Sequence, residues 1–171
     1  MPVVLLPLLL CLTLGGCKKD EPPLFQTERT RQAPPGDEAL ERAAGEARKS
    51  LPCFLRHLQH PLRGEEGFSV KYPFAADPGS GFLREYLWLG DIVFREGVYY
   101  GKILNRPYHI REIEAGMEVP FSFDDIADWM FLRKGKIIGG LSIRRLIEDI
   151  PPLDREEELN RILDLFETPG K

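Results

Sequence analysis

Large apolar side chains change their spacing several times along this chain, and each change marks an element. Val3 to Leu14 form an almost unbroken apolar run. Residues 18–36 then turn polar and are punctuated by Pro22-Pro23 and Pro34-Pro35-Gly36. After Asp37, a helix-capping residue type, Leu40, Ala43, Ala44, Ala47 and Leu51 recur at helical spacing and predict one apolar stripe. Pro52 predicts a kink or a division there, with Phe54, Leu55 and Leu58 continuing the face until Pro61 and Gly64 end it.

From Gly67 the period becomes two. Phe68, Val70, Tyr72 and Phe74 alternate with Ser69, Lys71 and Pro73, as a half-buried strand requires. A loop at Asp77-Pro78-Gly79-Ser80-Gly81 leads to a strand with Tyr86, Trp88, Ile92 and Phe94. Glu96-Gly97 predicts a tight turn into a strand from Val98 to Leu104, which Asn105-Arg106-Pro107 breaks. Met117, Val119, Phe121 and Phe123 alternate again, and Arg133-Lys134-Gly135 predicts a hairpin between Trp129–Leu132 and Lys136–Ile138. Ser142 is a candidate cap for a short helix carrying Ile143, Leu146 and Ile147. Beyond Pro151-Pro152, Asp154 and Glu157 have capping-box spacing ahead of Leu159, Ile162, Leu163 and Phe166. The predicted fold is α+β: an N-terminal helix packed on a curved antiparallel sheet, open or partly closed into a barrel, with short C-terminal helices.

The N-terminal run is too short for a membrane span, which needs about 20 apolar residues. It fits a secretory leader. Leu14-Gly15-Gly16-Cys17 follows, with small residues before a cysteine as a lipoprotein signal peptidase requires, and it resembles the bacterial lipobox. The leader departs from the usual pattern in having no early Lys or Arg. Residues 1–16 are therefore expected to be a lipoprotein signal peptide and Cys17 the lipidated first residue of the mature chain. Palmitate-type acyl chains contribute roughly 0.8 kcal/mol per buried CH₂, so two or three make a stable membrane anchor. Lys18, where Asp would favour inner-membrane retention, points to the outer membrane facing the periplasm in a Gram-negative envelope. Residues 17–36 are the lipidated cysteine and its tether, 37–150 the globular domain, and 151–171 a C-terminal amphipathic helix and tail.

Composition narrows the chemistry. The 171 residues carry a net charge of −4, giving no bulk attraction to phosphate backbones, so no nucleic-acid partner is expected. Of three cysteines, Cys11 leaves with the leader and Cys17 is modified. Cys53 is left with no cysteine to pair with. His57 and His60 share a helical face but lack a third zinc ligand. Asp124, Asp125 and Asp128 do not match a calcium loop. Glu112, Glu114 and Glu118 read as an exposed face, and no phosphate loop or nucleophile elbow occurs. No metal or cofactor is expected, and no catalytic residue is assigned. The pair to watch is Asp128-Trp129. It is either a buried Trp beside a carboxylate that accepts a backbone hydrogen bond, or a polar-aromatic ligand site with Asn105 and Arg144. A buried carboxylate needs a partner, and Arg144 is the candidate.

The segment from about Ala47 to Ile147 resembles the domain-of-unknown-function 2314 family, which includes small bacterial envelope proteins. The resemblance rests on Gly101-Lys102-Ile103-Leu104-Asn105-Arg106-Pro107, Gly116 with Val119 and Phe121, and Ile126-Ala127-Asp128-Trp129-Met130. Gly135 and Gly139-Gly140-Leu141-Ser142-Ile143-Arg144 complete it. This chain has Met117 where the family often has Asp, and Ser142 where it often has Thr. The resemblance implies no particular activity. A related family of small domains is associated with immunity to bacterial toxins, an analogy at the level of fold. The expected function is a lipid-anchored, non-enzymatic envelope module that binds an envelope protein or glycan, with Trp88, Tyr99 and Tyr100 as candidate contact aromatics. Two alternatives stand beside it: an envelope immunity protein that holds a toxin, and an envelope hydrolase joining Asp128, His109 and a Glu in one pocket.

Overall fold

A computed structural model describes residues 38–167. The expected leader, Cys17, the tether and Asp37 lie outside them. Helix α1 (Glu38–Gln59) leads into strands β1 (Glu65–Ala75), β2 (Arg84–Arg95), β3 (Val98–Ile103), β4 (Glu118–Phe121), β5 (Asp128–Arg133) and β6 (Lys136–Gly139). Helices α2 (Leu141–Glu148) and α3 (Glu157–Leu165) follow. The strands form one antiparallel sheet in the order β4-β3-β2-β1-β5-β6. The architecture is α+β, and the sheet stays open with β4 and β6 as its edges. Bulges between Glu66 and Ser69 and between Gly90 and Val93 bend β1 and β2.

Both faces of the sheet are covered, because each strand presents alternate residues to opposite sides. On one face, Val70, Leu87, Leu89, Ile103, Trp129 and Phe131 pack with Ala47 and Phe54 of α1. Ring contacts bind this layer, with Phe54 and Trp129 centroids 5.4 Å apart and the Trp129 Nε1 donating to Ala47 O at 2.9 Å. On the other face, Trp88, Met130 and Ile137 meet Ile143 and Ile147 of α2 and Ile162 of α3. Phe166 closes this layer by bridging to Ile137 in parallel, and Glu167 N donates to Ile137 O at 3.1 Å, covering the β6 edge.

Helix α1 runs unbroken through Pro52. The proline lies on the exposed side, so the carbonyl it leaves unpaired within the helix faces water. The hairpin turns form as expected: Glu96-Gly97 and Lys134-Gly135 both have positive φ at the two central positions, the geometry that matches strand twist. Strand β4 is shorter than the alternation implied. Ser122 caps a 3₁₀ turn at Phe123–Asp125 by accepting from Asp124 N, which ends the strand. The Asp154/Glu157 capping box is not formed: α3 starts after Glu156, with no side-chain cap. Ser142 lies inside α2, whose N-cap is Gly140.

Candidate functional site

A row of polar and aromatic side chains crosses the α2 face of the sheet. Cross-strand register places Trp88 beside Lys71 and Lys71 beside Asp128. Asp128 is 1% exposed. Its Oδ1 accepts from Trp129 N at 2.8 Å and its Oδ2 from Ser142 N at 2.7 Å. The carboxylate therefore does for α2, from a neighbouring strand, what an N-terminal capping side chain would do. Burial holds the Asp128 carboxyl above its usual range, against the lowering effect of the Ser142 bonds, the Lys71 charge and the Trp129 N–H. The Lys71 Nζ lies 3.4 Å from Ser142 Oγ and 6.0 Å from the ring centroids of Tyr86 and Trp88. Ser69, two residues along the same face, has a buried hydroxyl with no hydrogen-bond partner among the described residues.

The sheet meets α2 at Gly139. Its φ is +82°, and a Cβ there would lie 2.3 Å from Trp129 O, so no other residue fits without displacing β5. Asp128, Trp129, Gly139 and Ser142 are thus one joint between β5, β6 and α2.

Asp128, Trp129, Asn105 and Arg144 do not come together in one ligand site. Asp128 faces α2, while the Trp129 indole faces α1. Arg144 does not pair with Asp128: its Nε binds Glu148 at 2.8 Å on the outer side of α2. The partners of Asp128 are the backbone of Ser142 and Trp129 and the charge of Lys71. Asn105 accepts from Trp88 N at 2.7 Å and locks the end of β3 to β2. Trp88 is core rather than surface, and Tyr99 and Tyr100 are half-buried. Ser142 and Lys71 have the composition of a Ser–Lys pair, but Ser142 is 5% exposed, which closes it to a substrate. His57 stacks on Phe131 and contacts Glu65 Oε2 at 3.0 Å, and Glu65 also accepts from Leu62 N and Arg133. Cys53 is half-buried and receives a weak bond from Arg56 at 3.6 Å. Among the described residues no group of three His, Cys, Asp or Glu side chains is close enough to hold a metal ion. No helix among them is long and apolar enough to cross a membrane.

An open cleft lies elsewhere, where the β1–β2 loop meets the loop after β3. It encloses about 210 Å³ and is lined by Asp77, Pro78, Gly79, Ser80, Tyr108, His109 and Arg111. The two loops are tied by Asp77 N donating to His109 O at 2.7 Å and by Arg111 N donating to Asp77 Oδ2 at 3.1 Å. Glu85 fixes the second loop from below. This buried carboxylate accepts from both Tyr108 N and His109 N at 2.8 Å. Phe82, Leu83 and Tyr108 are exposed in these loops, and the Phe82 ring meets His109 at a tilt of 35° with centroids 4.2 Å apart. The cleft holds His109 but neither Asp128 nor a Glu lines it, so the pocket a hydrolase reading asks for is not assembled. Of the cleft residues the sequence had singled out only His109. The others lie in two loops that periodicity does not connect.

A family profile described as an uncharacterized protein conserved in bacteria (DUF2314) matches residues 37–162. A Neisseria meningitidis serogroup B protein bearing an ankyrin-repeat name is 34% identical over 126 residues, covering 71% of this chain. The chain spans about half of that relative's length, 49%. The uncharacterized Escherichia coli protein YegJ is 32% identical over 120 residues, covering 70% of this chain and 74% of YegJ. No solved structure matches. The match over most of the chain, including the β5–β6–α2 joint, shows that this protein belongs to the uncharacterized bacterial DUF2314 family.

Proposed function

We propose that the protein is a binding module of the bacterial envelope, held to a membrane by lipid on Cys17, and that it works through the rim of the 77–111 cleft rather than by catalysis. One contrast carries the reading. The buried carboxylates Asp128 and Glu85 are each taken up by hydrogen bonds that hold backbone in place. Three of the exposed large side chains, Phe82, Leu83 and Tyr108, lie on the two braced loops, and Leu83 is 83% exposed. Apolar groups clustered in the open beside polar ones are characteristic of contact surfaces. Lys18 after Cys17 supports an outer-membrane address where the envelope has two membranes.

Two measurements test it. A photo-crosslinking residue at Leu83 of the full chain, irradiated in the native envelope, should yield a discrete adduct by mass spectrometry. Absence of any adduct removes the binding reading. Labelling with a fatty-acid probe should mark the wild type and not Cys17→Ser; equal labelling of both removes the anchor.

A further inference from the structure

The cleft between the β1–β2 loop and the loop after β3 has a chemistry of its own. Its lining combines a carboxylate (Asp77), a hydroxyl (Ser80), a phenol (Tyr108), an imidazole (His109) and a guanidinium (Arg111). We propose that it is a saccharide subsite that takes one ring of a carboxylate-bearing glycan. The inference rests on the binding-module reading and names that module's ligand class.

Size is the first argument. A space of about 210 Å³ holds about seven waters at ~30 Å³ each and falls below the ~300–1,000 Å³ of pockets that engulf a drug-sized ligand. It suits a single hydroxylated ring, with the rest of a chain running out along the surface. Wall chemistry is the second. A sugar ring offers hydroxyls around its edge and C–H groups on its faces. Edge hydroxyls need mixed donors and acceptors, which Asp77, Ser80 and His109 supply. Ring faces need a flat surface, which the ring of Tyr108, 55% exposed, and the imidazole of His109 supply.

Arg111 sets the preference for an acidic sugar. Its side chain is 94% exposed and touches Asp77 Oδ2 through Nε at 3.6 Å. That contact orients the guanidinium from one side and leaves most of the group facing solvent, where it can take a carboxylate in fork geometry. The walls are also set in advance. Asp77 is held by Arg111 N and by its own bond to His109 O, Ser80 N donates to Asp77 O at 3.1 Å, and Glu85 clamps the 108–109 backbone. Little ordering remains to oppose binding. A peptide ligand fits less well. Extended peptides add to an open strand edge or seat a side chain in an apolar pocket, whereas no lining residue here belongs to a strand and the walls are polar.

The test uses the detergent-extracted full chain and two immobilised probes. One is chitotetraose, which is neutral; the other is peptidoglycan glycan strands stripped of peptide, in which alternate rings carry a lactyl carboxylate. The strands should bind more tightly than chitotetraose. Arg111→Ala should remove that preference by weakening strand binding about tenfold, the order expected for a charged hydrogen bond. Tyr108→Ala should weaken both probes alike, and Phe94→Ala at the far end of β2 should change neither. Wild-type melting temperatures would confirm that these exposed substitutions leave the fold intact. Lack of response to both probes, or strand binding that survives Tyr108→Ala and Arg111→Ala, overturns the saccharide site. If that happens while crosslinking at Leu83 captures an envelope protein, the module stands and only its ligand class is wrong; silence in both assays removes both.

Discussion

Replacing Asp128 by Asn asks whether the buried carboxylate is a clamp on α2. Each of its two oxygens accepts from a backbone N–H, Trp129 N at 2.8 Å and Ser142 N at 2.7 Å. An amide of the same shape has one acceptor and one donor end. Whichever way it turns, an NH₂ group faces a backbone N–H, and one buried donor loses its partner. An orphaned donor costs about 1–3 kcal/mol. Losing negative charge at the start of α2 costs about 0.3–1 kcal/mol more. Asp128→Asn should therefore be about 1–4 kcal/mol less stable than wild type at pH 7, seen as a lower urea midpoint at unchanged slope. Asp128→Ala orphans both donors and should roughly double the loss. The pH dependence has a definite sign. Burial raises the native pKa of Asp128 above its unfolded value near ~3.9. Its contribution is then complete below that unfolded value and declines as pH rises through the native one. The advantage of wild type over Asp128→Asn should shrink across that window. Midpoints equal to within about 0.5 kcal/mol would refute the clamp, and an advantage that widens with rising pH would show that the N–H bonds outweigh burial and would refute the raised pKa.

Gly139→Ala should cost about 2–5 kcal/mol, combining left-handed backbone strain with a Cβ pressed to 2.3 Å from Trp129 O; a thermal melt within a degree of wild type would contradict this. At Glu65, burial acts to raise the carboxyl, but bonds from Leu62 N, Arg133 and His57 outweigh it and the native pKa falls below the usual range. Its contribution is thus present above the unfolded value near ~4.3 and lost as pH drops through the native one. Urea titrations between pH 2 and 6 should show a smaller acid-induced loss for Glu65→Gln than for wild type, and parallel curves would disprove it.

Local rules reached as far as single elements. The turn signals at Glu96-Gly97 and Lys134-Gly135 are statements about neighbours, and the sheet follows them. Alternation at Phe68–Phe74 marks a strand that forms, but not a half-buried one, because the second face is covered too and Ser69 and Lys71 are buried. Pro52 was ambiguous because a proline's effect on a helix depends on which side faces water, and that is decided by distant packing, of Phe54 against Phe68 and Trp129. The partner of Asp128 was misjudged for a similar reason. Arg144 is near in sequence and carries the right charge, but it lies one turn outside the joint on α2, while Lys71 reaches Asp128 only through the β1–β5 pairing. The cleft was the least legible feature. Asp77 reads as an ordinary loop residue and nothing local connects it to Arg111; only the folded sheet sets the Asp77 backbone against that of His109.

The two buried carboxylates on this sheet do different work. Asp128 serves architecture, since its backbone hydrogen bonds go to the β5–β6–α2 joint and the cation beside it, Lys71, lies in the core of the sheet. Glu85 is different. It sits on a core strand, yet both of its oxygens are committed to the N–H groups of Tyr108 and His109 in a surface loop. Burying a carboxylate is unfavourable, and well-packed apolar replacements for buried charges are often neutral or stabilising. Stability of the sheet alone gives no reason to put a charge there. A loop that must hold Tyr108 and His109 in one arrangement gives such a reason, because two charge-assisted bonds fix two consecutive peptide groups at once. Rigid scaffolds that brace exposed loops are the usual setting for recognition. By that logic, Glu85 braces the 108–111 segment rather than the sheet, which is what the proposed contact role of the cleft requires.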